Sequence, residues 1–419
     1  MRGFALGLSG GLLGALLVGC VSAPAPVQSQ TTRVVVARPV ALPPPPPLAS
    51  RPPPPVIAPP EEAVVEAPSA FASVQGWDTV DARPALAAFR ESCRIWRGAE
   101  AGDLLSPNLP QYGTFSDWRP ACRALDAETT TTANGARRFF EAHFAPVELS
   151  TPTDETGLLT GYYEPEVMVR RVPDRVFSEP VLARPETDAL RLQARADIDE
   201  TTSRVIAYGK PIDVFFMQIQ GSGRLRFEDG LTLRAAFAGH NGEPYTSIGR
   251  KLVEWGEIEA GKASKRNIEV WMERAGPLRA DALMNENRRY IFFEEQAIPR
   301  EGGRAKGPRS SGPLGAMRVP LTDMGSLAVD PRYHPYGTLA VLETTLPQRA
   351  RDFRGRPATL LVAAQDTGGA IKGPLRGDLF FGAGAGAGSL AGVMKHPVRW
   401  TLLLPKAIAG AIAGKAPAS

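Results

Sequence analysis

The sequence is poor in the residues on which metal and nucleophile chemistry depends. Four histidines (His143, His240, His334, His396) stand far apart and three cysteines occur among 419 residues, so no group has zinc-site spacing. No Gly-x-Ser-x-Gly elbow and no phosphate loop are present. "FGAGAGAGSLAG" (381–392) has glycines like those of a dinucleotide fingerprint, but lacks the parallel β-α-β setting that gives them a role. No metal and no cofactor is therefore expected. The charge balance, 48 − 44 = +4, includes no long basic run interleaved with aromatics, which argues against nucleic acid as a partner.

What is present begins at the N-terminus. Residues 1–19 carry Arg2 and an apolar stretch too short to span a bilayer comfortably, and read as a secretory signal. Leu17-Val18-Gly19-Cys20 resembles a bacterial lipobox, which would make Cys20 a lipidated N-terminus; the plainer alternative is a secreted protein with an incidental cysteine. Val21 after that cysteine points to the outer membrane, with the protein on its periplasmic face. Residues 20–75, with "LPPPPPLASRPPPPVIAPPEE", read as a disordered, polyproline-rich tether. Cys93 and Cys122 then remain as an even pair in an oxidising compartment, where a disulfide is expected and two buried thiols are the alternative.

A chain of this length calls for two domains. Residues 82–97 place Leu86, Phe89, Cys93 and Trp96 at helical spacing; Ser116 can cap a second helix carrying Cys122, and "ANGARRFFEAHF" reads as a third. From Leu158 the texture turns strand-like: "LLTGYYEPEVMV", "VIAYG", "DVFFMQIQGSGRLRF", "LTLRAAFAG". Helices are expected again at 247–258 and 264–285, then strands from "YIFFEE" to "RWTLLLP". The fold class is β-dominated α+β.

Chemistry is left to carboxylates. Asp366 ends an apolar run, Gly368, Gly369 and Gly373 loosen the chain, and Asp378 precedes Leu379-Phe380-Phe381, whose apolar neighbourhood would raise its pKa as a general acid requires. From the residues alone, the favoured reading is that both aspartates are turn residues that accept backbone N–H bonds, with carboxylate catalysis the alternative.

Six ordered segments go further: "TGYYEPEV" (160–167), "QIQGSGRL" (218–225), "PYTSIGRKLVEWGEI" (244–258), "NENRRYIFF" (285–293), "GPLGAMRVPLTDMGSLAVDPRYHPYG" (312–337) and "AQDTGGAIKGPLRGDLFFG" (364–382). Together they resemble the membrane-bound lytic murein transglycosylase A family with its C-terminal three-aspartate domain. The resemblance implies a double-psi β-barrel domain with N-terminal helices (76–163 and 285–408), an inserted smaller β-barrel that binds substrate (164–284), a groove between them, and a flexible tail (409–419). It also implies cleavage of the β-1,4 bond between N-acetylmuramic acid and N-acetylglucosamine in peptidoglycan, leaving a 1,6-anhydro end. An intramolecular C6 hydroxyl attack needs one acid/base where glycosidases need two carboxylates.

By the same resemblance Asp378 is the catalytic acid, Asp366 its partner and Asp330 a remoter contributor. Tyr162, Tyr163 and Glu164, the Gln218, Gln220, Gly221, Ser222, Gly223 segment, and Gly368 and Gly369 would meet the glycan. The expected partners are peptidoglycan strands and the outer-membrane lipid anchor; the chain would be a monomer, with recruitment to cell-wall synthesis or division complexes a further expectation. The different-class alternative is a peptidoglycan-binding lipoprotein without turnover. Arg376-Gly377 replaces the aromatic or histidine expected before Asp378, and a guanidinium there would lower the acid's pKa. "GAGAGAG" is expected as a flexible loop beside the site.

Overall fold

The computed structural model describes residues 63–152, 156–298, 312–349 and 353–413. The signal, Cys20 and most of the tether lie outside these residues. Within the tether's expected span, β1 (Val64–Pro68) is already paired into a sheet.

Three helices follow: α1 (Arg83–Trp96), α2 (Phe115–Ala127) and α3 (Ala133–His143). The cap of α2 is Thr114, not Ser116: Thr114 and Asp117 close a reciprocal capping box, with Thr114 N–H donating to Asp117 Oδ2 at 2.8 Å. The cysteines at positions 93 and 122 are joined by a disulfide that ties α1 to α2, with Cα atoms 5.5 Å apart. Phe89, Trp96, Trp118, Phe140 and Phe144 are all buried and pack ring on ring, Trp96 and Trp118 5.4 Å apart, so the three helices share one aromatic core.

The chain next lays down β2 (Phe144–Ser150) and β3 (Gly157–Glu164), then enters a second body. This contains β4 (Glu166–Arg170), β5 (Glu179–Leu182), α4 (Asp188–Arg191), β6 (Val205–Gly209), α5 (Pro211–Gln220), β7 (Gly223–Phe227), β8 (Thr232–His240), α6 (Ile248–Glu254), α7 (Lys265–Ala275), α8 (Pro277–Glu286) and β9 (Ile291–Ala297). Its sheet runs β5-β6-β4-β7-β8-β9, and a bridge between Ala183 and Phe293 brings the two ends close to closure.

Three sequence expectations fail here for local reasons. "PIDVFFMQIQ" is the helix α5, not a strand: a continuous apolar run has no decisive period, and Pro211 at its start and Gly221 (φ 84°) at its end were the telling residues. The single helix expected over 264–285 breaks at Gly276-Pro277 into α7 and α8. β9 pairs with β8, so the segment after residue 285 stays in the second body instead of returning at once to the first.

The return supplies β10 (Ser326–Val329), β11 (Leu339–Pro347), β12 (Gly355–Asp366), β13 (Arg376–Ala383), α9 (Gly384–Ala391), β14 (Lys395–Pro405) and α10 (Lys406–Ala413), so part of the expected tail is helical. The first body's strands run β1-β2-β14-β11-β12-β10-β13-β3, and β14 also pairs with β3. Residues 395–398 of β14 take β3 and residues 399–403 take β11, which closes six strands into a barrel. Among the described residues the fold is β-dominated α+β, with two bodies of sheet.

The expected "GAGAGAG" loop is instead α9, packed on β3 and β13. Glycine permits that contact: a Cβ on Gly388 would lie 2.4 Å from the Tyr163 ring, and one on Gly161 2.5 Å from the Phe381 ring.

Candidate active site

Strand β10 is the centre of the site. It pairs parallel to β12 and antiparallel to β13, and both registers place an aspartate opposite Ala328: Asp366 on one side, Asp378 on the other. Three adjacent strands about 4.8 Å apart set the two backbones roughly 10 Å from each other, with the side chains on one face. The end of β12 is fixed from behind. Gln365 is fully buried, its Nε2 donating to Ala88 O at 2.6 Å and Ser92 Oγ at 2.9 Å, while Ser326 Oγ donates to its Oε1 at 2.6 Å.

The two acids are held differently. Asp366 accepts from Ala316 N–H and Thr367 N–H on Oδ1, both at 2.9 Å, and from the Tyr162 hydroxyl on Oδ2 at 2.8 Å. Burial nevertheless raises its pKa above the usual carboxylate range. Tyr162, half-buried and facing that carboxylate, is pushed well above an ordinary phenol by desolvation and by the Asp366 charge.

Among the described residues Asp378 has one side-chain donor, Thr160 on the neighbouring β3, whose hydroxyl lies 2.6 Å from Oδ1. Burial carries the Asp378 pKa up to about 6 against the lowering effects of the Arg376 charge and the Thr160 bond, and the Asp366 charge adds to the rise. The side chain keeps some open surface although protein closely surrounds its carboxylate.

Arg376 does not pair directly with Asp378. Its guanidinium donates to Thr160 Oγ1 at 2.8 Å, to Leu158 O at 3.3 Å and to Gly377 O. A guanidinium only donates, so the Thr160 oxygen accepts from Arg376 and its hydrogen is directed to Asp378 Oδ1. A protonated Asp378 would then carry its hydrogen on Oδ2.

Thr160 also lines a cavity of about 580 Å³ whose wall includes Gly161, Tyr163, Gln220, Tyr245 and Lys395. This wall comes from both bodies. Gln220 Oε1 accepts the Tyr163 N–H at 3.0 Å across their junction, and a Cβ on Gly369 would lie 3.5 Å from Tyr245 Cβ, so the glycine span runs beside the second body. Tyr245, Thr160 and Lys395 were not singled out in the sequence. Their signal is pairing and proximity, neither of which is local.

Several expected contacts lie elsewhere. Glu164 is fully buried and bonded to Arg224 Nε at 2.8 Å and Arg234 Nε at 2.5 Å, an ion-pair triad where β3 passes into β4 and not a groove wall. Gln218 is buried within the second body near Tyr290, Ser222 is buried, and Gly221 and Gly223 form the turn from α5 into β7. Asp330 has no exposed surface; burial alone would raise its pKa, but Arg332 and the Gly373 N–H, 3.0 Å away, hold it below the usual range. It anchors the far end of the glycine span. His334 does the same for Pro374, with Nε2 2.7 Å from its carbonyl and the ring stacked on Trp400.

Comparison with known proteins covers both bodies of the fold. The family described as "MltA specific insert domain" matches residues 187–294, within the second body, and "3D domain" matches residues 325–404, spanning Asp330, Asp366 and Asp378. The crystal structure "Lytic transglycosylase, LtgG, of Burkholderia pseudomallei" is 34% identical, covers 83% of this chain and 98% of its own, and superposes with a TM-score of 0.55. The chain belongs to the MltA family. Among other MltA proteins, membrane-bound lytic murein transglycosylase A of Escherichia coli (strain K12) is 34% identical over 250 residues, 58% of this chain. The match spans 64% of that relative's length. The structure of E. coli MltA with bound chitohexaose is 27% identical, covers 76% of this chain and 89% of its own, and has a TM-score of 0.57. In this MltA chain the three aspartates divide into two that face one another across β10 and one that is a buried anchor.

Proposed function

We propose that the chain is a lytic transglycosylase that cleaves the β-1,4 bond between N-acetylmuramic acid and N-acetylglucosamine in peptidoglycan, with Asp378 as its one acid/base. The observation that carries this reading is the position of Asp378, bonded to a Thr160 that lines a cavity walled by two bodies of the fold, in surroundings whose burial pushes its pKa up to about 6. Asp378 Oδ2 gives its proton to the glycosidic oxygen as the C1–O bond breaks. The C6 hydroxyl of the same muramic residue then attacks C1 and returns its proton to Asp378, closing the 1,6-anhydro ring and regenerating the acid.

Asp366 supports this and does not supply a second carboxylate for hydrolysis. Its oxygens already accept three donors from Tyr162, Ala316 and Thr367, which leaves little room for a water to approach it, while its charge favours the protonated form of Asp378. Tyr163, Gln220 and Tyr245 offer the cavity's aromatic and amide contacts to the sugars. That E. coli MltA has been solved with bound chitohexaose supports a glycan as the class of ligand. The second body, from about 164 to 297, serves as the inserted substrate-binding domain, and a lipid on Cys20 holds a monomer at the periplasmic face of the outer membrane.

Digestion of purified peptidoglycan by the full chain tests the reaction. Mass spectrometry is expected to show products one water lighter than hydrolysed ends, and Asp378→Asn to abolish them while preserving binding. Reducing ends alone would make the protein a hydrolase, and no product from the unaltered chain would make it a binding protein.

A further inference from the structure

A second cavity, of about 480 Å³, opens where the second body meets the turn that holds Asp366; its lining includes Arg184, Arg204, Arg318, Phe237 and Glu294. The turn is tight: Arg318 N–H donates to Gly315 O at 2.8 Å, and Ala316 N–H between them donates to Asp366 Oδ1 at 2.9 Å. The Cα atoms of Ala316 and Arg318 are thus at most about 7.6 Å apart, so this cavity borders the acid site through one turn. Arg318 holds a left-handed backbone (φ 63°), unusual for a residue with a side chain and a mark of a position fixed by its surroundings.

The charges are unbalanced. Arg204 pairs with Glu295 at 2.7 Å, whereas neither Arg184 nor Arg318 has an acidic partner within salt-bridge distance among the described residues. The stem of Arg184 passes along Gly239, where a Cβ would lie 3.5 Å from its Cδ, so its place is shaped by the backbone beside it. Phe237 is 43% exposed at the same cavity, an apolar surface next to two unpaired guanidiniums. The sugars of intact strands, with only neutral hydroxyl and acetamide oxygens to accept, do not match the charge of two arginines. The peptides that the muramic residues carry do, because they hold the carboxylates of peptidoglycan.

Building on the transglycosylase reading, we propose that this cavity is a subsite for the acidic peptide of the substrate, with Arg184 and Arg318 binding its carboxylates and Phe237 packing on its aliphatic part. Guanidinium–carboxylate pairs of this kind are directional and charge-assisted. Occupancy would favour strands with peptides over bare glycan.

The test compares the full chain with an Arg184→Gln/Arg318→Gln variant on two substrates, peptidoglycan strands bearing tetrapeptides and strands stripped of peptides by an amidase, with the lactyl carboxylates that this exposes capped as methylamides. The variant is expected to lose about tenfold or more in kcat/KM on peptide-bearing strands and to stay within about twofold on bare ones. Equal loss on both substrates, or no loss on the first, overturns the subsite. If the unaltered chain cleaves neither substrate, the transglycosylase reading fails separately and co-sedimentation with the two substrates decides. Selective loss of peptide-bearing strands by the variant then upholds the subsite, and equal binding by both proteins overturns it.

Discussion

Thr160 donates its hydroxyl to Asp378 at 2.6 Å because Arg376 occupies the lone pairs on its other side. The guanidinium therefore acts on the acid through an oriented hydroxyl as well as through its field. Arg376→Met removes a charge that lowers the Asp378 pKa. The falling alkaline limb of kcat, expected just above pH 6, should move up by roughly half a unit to one unit. A pH–rate profile checks it, and an unmoved limb would detach Arg376 from the acid's titration.

The raised Asp378 pKa also has a stability consequence. The unfolded chain ionises this group near 3.8 and the folded one near 6, so its stabilising share is full below about pH 4 and is lost as pH rises through 6. Two units correspond to about 3 kcal/mol. Asp378→Asn, neutral throughout, should exceed the unaltered chain in stability by up to that amount at pH 7, with the gap closing near pH 4. Urea unfolding at the two pH values measures it, and a gap independent of pH would mean that Asp378 is not raised.

Glu164 is the acid that two arginines share in the interior. Glu164→Gln should lower unfolding free energy by about 3 kcal/mol or more, since it removes the buried carboxylate charge that lies against both Arg224 and Arg234. Replacing Arg234 by Met in the same chain should recover part of the loss. Denaturant melts of the single and double variants decide it; additive losses would mean that the residues are not coupled.

Within α9, neighbouring small residues are predicted to differ. Gly386→Ala enters open space and should be neutral or slightly stabilising, whereas Gly388→Ala drives a methyl into the Tyr163 ring and should cost about 1–3 kcal/mol. Thermal melts separate them, and equal effects would place α9 elsewhere.

The sequence made much of this legible where the information was local. The first three helices followed from spacing and turn residues, and the glycine span between Asp366 and Asp378 showed that the chain turns there. α5 was misread because "DVFFMQIQ" has no clear period, and β9 because pairing with β8 is invisible in its own residues. The same limit applied to the site. Thr160 and Asp378 are separated by 218 positions, and nothing in either segment encodes the register that joins them. Glu164, beside two tyrosines, looked like a groove residue until its two arginine partners, 60 and 70 positions away, accounted for it.

The closure of the barrel has a bearing on the order in which the protein can be made. The second body's sheet comes from one continuous stretch, β4 to β9, and can assemble as soon as that stretch is available. β3 must wait for β13 and β14, made more than 200 residues after it, before it has neighbours on either side. Long-range pairing of this kind folds slowly. Until β13 is delivered, the candidate site does not exist, because Thr160 on β3, Asp366 on β12 and Asp378 on β13 belong to strands that have not yet met.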